Sequence, residues 1–126
     1  MTPEEIVQKQ LDAYNARDIE TLLSIYAEDA QLFEHPATLL ASGSAELRDR
    51  YSVRFLEPNL HAKLLSRIVS GDMVVDHELV TRTFPEGPGT IEFVMIYQVI
   101  HSRISKAWTL IGPKTLLENA SSETSR

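Results

Sequence analysis

The residues best suited to chemistry lie between Tyr26 and Pro36, in the run Tyr-Ala-Glu-Asp-Ala-Gln-Leu-Phe-Glu-His-Pro, where Glu34 and His35 close a short apolar segment. An imidazole with an ordinary pKa of about 6.5 can take or give a proton near neutrality, so His35 is the expected general acid or base. The plainer reading is that its ring only hydrogen-bonds a carbonyl at a strand end. Glu34 should point the opposite way along the strand, as a solvated or interface residue. The four histidines, His35, His61, His77 and His101, have neither the helical nor the two-residue strand spacing of metal ligands, and there is no cysteine. A glycine-rich phosphate loop and a serine nucleophile elbow are also absent. The chemistry to expect is therefore acid–base, with no cofactor and no metal.

The elements that must position these residues follow from periodicity. Ile6, Val7, Leu11 and Tyr14 recur at helical spacing, with Thr2 as N-cap and Pro3 at the first helical position. Asp18 can cap a shorter second helix carrying Ile19, Leu22, Leu23 and Tyr26. Ala30 to His35 reads as a strand ended by Pro36, and a third helix follows Gly43 and Ser44, with Leu47, Tyr51 and Phe55 on one face. Pro58 stops it. The runs Leu60 to Ser70, Met73 to Phe84, Thr90 to His101 and Ile104 to Ile111 read as successive antiparallel strands. Gly71-Asp72 is a hairpin signal, Pro85 to Gly89 a longer loop and Ser102-Arg103 a weaker turn.

Those turns suggest a register. With Ser70 facing Met73, Arg67 lies opposite Asp76, and a loop centred on Gly87 sets Arg82 opposite Glu92. The charged residues then share an outer face, suited to solvation or to a polar interface between subunits. Val75, His77, Leu79 and Thr81 turn inward with Leu64, Ser66, Ile68, Ile91, Phe93, Met95 and Tyr97, and Trp108 and Leu110 follow. The polar members Ser66, His77, Thr81 and Tyr97 exceed what a simple core requires, as a lined pocket would. Tyr14 sits among core leucines, where packing comes first and ligand contact second.

At 126 residues and 43% hydrophobic, the chain suits one domain with one core, expected over residues 1–114, with 115–126 a flexible tail. A net charge of −6 argues against nucleic-acid or anionic-membrane partners. No apolar run approaches the ~20 residues a spanning helix needs, and the acidic start is unlike a signal peptide, so a cytoplasmic protein is expected.

Two helices, a short strand, a third helix and a long antiparallel sheet resemble the nuclear-transport-factor-2-like, or ketosteroid-isomerase-like, superfamily. The resemblance runs from Ile6 to Gly112, through Tyr14-Asn-Ala-Arg-Asp18, Tyr26-Ala-Glu-Asp-Ala30, Glu34-His35-Pro36, the Ser42-Gly43 step and the Tyr97 to Trp108 hairpin. It implies an α+β fold, a cone-shaped barrel in which three N-terminal helices pack on a curved antiparallel sheet around an apolar cavity, with dimers common. By its motif, His35 before Pro36 stands where the isomerases carry a carboxylate base. Gln10 and Tyr97 fall at the two oxyanion-hole positions, which the isomerases fill with tyrosine and a protonated aspartic acid. The expectation is thus a small, largely apolar ligand bound in the pocket and turned over by isomerase-like, cyclase-like or dehydratase-like chemistry. His35 would move the proton, Gln10 and Tyr97 would hold the oxyanion, His77 would orient the substrate, and Phe33, Phe93, Met95 and Trp108 would form apolar walls. A homodimer through the outer sheet face is expected too. The alternative is a non-catalytic module for a small ligand or a protein partner.

Overall fold

Thr2 opens the chain's first helix with a reciprocal cap. Its hydroxyl accepts from the Glu5 N–H at 3.2 Å, and the Glu5 carboxylate accepts from the Thr2 N–H at 2.8 Å. The computed structural model, which describes residues 1–117, carries this helix, α1, over Pro3–Ala16. Arg17 ends it in the left-handed region with φ 55°, and the Asp18 carboxylate accepts from the Thr21 N–H to start α2, Ile19–Ile25. The remaining elements are β1 (Tyr26–Glu34), β2 (Thr38–Ser42), α3 (Gly43–Arg54), β3 (His61–Ser70), β4 (Met73–Phe84), β5 (Gly87–Ile100) and β6 (Arg103–Leu116). No helix among the described residues is long and apolar enough to cross a membrane.

The strands form one open sheet of order β2-β1-β6-β5-β4-β3. It is mixed, because β1 runs parallel to β6 while every other neighbouring pair is antiparallel. The inner face packs against α1 and α3 through one core that includes Val7, Leu22, Leu47, Val74, Val80 and Ile104. Strand β2 was not expected from the sequence, since five residues beginning just after Pro36 carry too little alternation to stand out. Thr115 and Leu116 pair with Thr90 and Gly89 in β6, so they belong to the sheet and not to a tail. The rest of the expected tail, from residue 118, lies outside the described residues.

The register between β3 and β4 is the expected one, with Ser70 facing Met73 and Arg67 facing Asp76. The register between β4 and β5 is not. Pro85-Glu86 makes a two-residue turn, so Phe84 faces Gly87, Arg82 faces Gly89, and Glu92 lies opposite Leu79. A shift of an odd number of residues exchanges the two faces of a strand. Asp76, Glu78, Val80 and Arg82 therefore turn inward, and Val75, His77, Leu79 and Thr81 turn outward. A bulge at Leu65 keeps Leu64 inside but sends Ser66 and Ile68 out. A turn at His101-Ser102, both left-handed, pairs Ile100 with Arg103, and a bulge at Ser105 then shifts the register by one, placing Thr109 opposite Met95 and turning Trp108 outward opposite Ile96.

Candidate functional site

A cavity of about 200 Å³ opens between α1, α3 and the inner face of the sheet. Its apolar wall comes from Leu32, Val80, Ile91, Phe93 and Met95. The alternation that buries β5 on this side also brings in Tyr97, whose hydroxyl donates to the Gln10 Oε1 on α1 at 3.3 Å. Both side chains are buried, and the Gln10 amide also hydrogen-bonds the Tyr26 hydroxyl, so Gln10 bridges Tyr97 and Tyr26. Tyr14 also lines the cavity, and its hydroxyl accepts from Arg54 at 3.2 Å. Burial pushes the Tyr97 hydroxyl well above its ordinary pKa and raises that of Tyr14, so both remain neutral donors or acceptors.

Glu78 is the unusual group in this cavity. It is 6% exposed and has no hydrogen-bond or ion-pair partner among the described residues. Burial, then the negative charge of Asp76, pushes its carboxyl up to about 8, against a smaller opposing effect of Arg67. Asp76 differs from it in having a partner. Fully buried, Asp76 accepts two hydrogen bonds from the Arg67 guanidinium, at 2.6 and 2.9 Å, and Arg67 also donates to Gln8 on α1 at 2.9 Å. One carboxylate is thus neutralised by an arginine, and its neighbour two residues on by a proton.

Three arginines line the same cavity from α3 and β4. Arg82 grips Glu57 through two hydrogen bonds of 2.7 and 3.2 Å, and Arg54 lies 4.0 Å from the same carboxylate. Arg50 has no hydrogen-bond or ion-pair partner among the described residues, and burial, followed by the charge of Arg54, lowers its pKa. Glu34, an exposed residue at the end of β1, also contributes to the cavity's lining.

Of the residues expected from sequence to form the site, Gln10, Tyr14, Phe93, Met95 and Tyr97 line the cavity. The others do not. His35 is exposed beyond the end of β1, its N–H donating to the Thr109 carbonyl at 2.9 Å, and Glu34 takes the inward place expected of it. Phe33 and Trp108 stack on the outer face of the sheet with ring centroids 5.9 Å apart. His77 is also on that face, its Nε2 2.8 Å from Glu92. Glu78, Arg50, Arg54 and Arg82 were missed as site residues. A tight-turn reading of Phe84-Pro-Glu-Gly87 would have placed Glu78 and Arg82 inside. No group of three His, Asp or Glu side chains among the described residues is arranged to hold a metal ion.

Comparison with known proteins fits this architecture. The family profile of the SnoaL-like domain matches residues 7–107. No curated protein matches the chain in sequence. Among solved structures, an uncharacterized cystatin-fold protein from Novosphingobium aromaticivorans superposes with a TM-score of 0.80 at 24% identity, over 86% of this chain and 97% of that one. IdmH, a proposed polyketide cyclase from Streptomyces antibioticus, superposes at 0.75 with 19% identity, over 88% and 92%. A ketosteroid isomerase-like-fold protein from Catenulispora acidiphila, in complex with trimethylamine, gives 0.72 at 16% identity, over 86% and 85%. At such identities these structures share the fold, and nothing about the activity follows from them. With its profile match spanning most of the chain, and a fold shared with nuclear-transport-factor-2-like structures, this protein belongs to the SnoaL-like domain family.

Proposed function

We propose that this domain binds a small, largely apolar molecule of steroid or polyketide type in a cone-shaped cavity and performs acid–base chemistry on it without a cofactor. The reaction would be isomerase-like or cyclase- or dehydratase-like. The observation that carries this reading is Glu78, a buried carboxyl group in the cavity with no protein partner among the described residues, whose pKa burial and Asp76 push up to about 8. A neutral carboxyl can donate to a carbonyl oxygen as negative charge develops there, which an ionised one cannot. Gln10 and Tyr97, hydrogen-bonded to each other, would orient the ligand beside Glu78. Glu34 is the base on the facing strand. It would take a carbon-bound proton, the C–H electrons would form the enol double bond, and the oxygen would be stabilised by Glu78. Return of the proton at another carbon would complete an isomerisation.

Proton–deuterium exchange at the activated carbons of β-tetralone and of an unconjugated ketosteroid, followed by NMR in D₂O, tests the assignment. The natural protein should accelerate exchange, and Glu78→Gln and Glu34→Gln should each lower the rate by about 10² to 10⁴. With Glu78 as donor, the rate should fall as pH rises through about 8. Ligand binding with no accelerated exchange would instead support a non-catalytic binding module.

We also propose a homodimer through the outer face of the sheet. Supporting it, Val75, Leu79, Val94, Ile96, Trp108 and Leu110 form a half-buried apolar surface there. The contact would be largely apolar around the His77–Glu92 pair, because the other charges expected on this face, at Arg67, Asp76, Glu78 and Arg82, turn inward.

A further inference from the structure

We propose that the cavity's ligand is an organic monocarboxylate, with its carboxylate gripped by Arg50 and its apolar body lying against Leu32, Phe93 and Met95 toward Glu78. The inference rests on the small-ligand reading above and adds the ligand's charge and orientation.

The cavity is lined by three guanidinium groups, and two of them are committed. Arg82 is bidentate to Glu57, and Arg54 donates to the Tyr14 hydroxyl beside the same carboxylate. Arg50 is half-buried with its five N–H donors unclaimed among the described residues. A guanidinium does not relieve this by losing its proton, so a partly desolvated one favours an incoming anion. Glu34 lines the cavity too, but no ion pair joins it to Arg50. Counting Arg50, Arg54 and Arg82 against Glu34 and Glu57 leaves one positive charge at this end of the cavity. That excess suits a single negative charge better than a phosphate dianion. The planar fork of Arg50 matches the two oxygens of a carboxylate, and the remaining wall is apolar. At the other end burial and Asp76 push the Glu78 carboxyl up to about 8, which favours its neutral form beside an anionic ligand.

Calorimetric titration of the full chain at neutral pH with naphthoate and with its neutral isostere naphthamide tests this, using the natural protein, Arg50→Gln and Arg50→Lys. Naphthoate should bind the natural protein. Its affinity should fall about ten- to hundredfold in Arg50→Gln, in keeping with the loss of a charged hydrogen-bonded pair, and recover in part in Arg50→Lys. Naphthamide should bind more weakly than naphthoate and be indifferent to these substitutions. If naphthamide binds as tightly as naphthoate, or Arg50→Gln leaves naphthoate unchanged while circular dichroism shows an intact fold, the carboxylate assignment is overturned and the small-ligand reading stands. If neither compound binds, both are overturned.

Discussion

Glu78 owes its inward place to a turn further along the chain, since the two-residue turn at Pro85-Glu86 decides that β4 presents Asp76 and Glu78 on the same side as Phe93 and Met95 of β5. The stability of the protein should show it. An unfolded chain loses the Glu78 proton near the ordinary value of 4.5, whereas the folded chain keeps it to about 8. Across that window the native state binds more protons than the unfolded state, so the Glu78 contribution falls as pH rises and levels off above about 8. Glu78→Gln, which keeps the shape and removes the titration, should gain stability relative to the natural protein by several kcal/mol more at pH 8 than at pH 5, on the order of 3–5 kcal/mol. Urea midpoints at the two pH values check it, and equal gains at both would mean that Glu78 ionises normally. At this scale the sequence pointed to Gln10 and Tyr97 as cavity residues but put the proton on His35. The adjacent Glu34 was set aside because strand alternation separates neighbours without saying which of them faces inward.

The elements were more legible than the site because their ends are marked by local chemistry. Thr2, Pro3, Asp18 and Gly71 do what their types predict, and β4 begins and ends where its alternation does. The segment Tyr14-Asn-Ala-Arg-Asp18 proves to be joinery. Asn15 donates to the Ala62 carbonyl at 2.9 Å and accepts from the Ala62 N–H at 2.8 Å, tying the end of α1 to the start of β3. Arg17 reaches the carbonyls of Phe55 and Glu57 beyond α3, at 3.2 and 2.7 Å. Asn15→Ala leaves both backbone groups of Ala62, a buried residue, without these partners, and should cost about 1–3 kcal/mol. Thermal unfolding of the variant measures the loss; an unchanged midpoint would show that water replaces the amide at no cost. Register was the element-level property that stayed hidden. It depends on whether Pro85 to Gly89 forms a two-residue turn or a wider loop, and the residues there permit both.

For the whole molecule, the reason alternation did not reveal the inside is that both faces of the central strands are apolar. Val74 and Val80 alternate with Val75 and Leu79, and Phe93 and Met95 with Val94 and Ile96. An ordinary half-covered antiparallel sheet would carry polar residues on one side. Here one face is covered by the helices, and the proposed second copy would cover the other, so the same feature that obscured the parity argues for association. A charge in the middle of the outer face should then act on assembly and spare the cavity behind it. Ile96→Arg, opposite Val75 on β4 and Trp108 on β6, would bury an unpaired guanidinium in the dimer and leave it solvated in the monomer. Sedimentation equilibrium should show the natural protein as a dimer and the variant as a monomer, with the same circular dichroism. A natural protein that sediments as a monomer, or a variant that dimerises as well, would remove this face from the interface and leave its apolar residues without a partner.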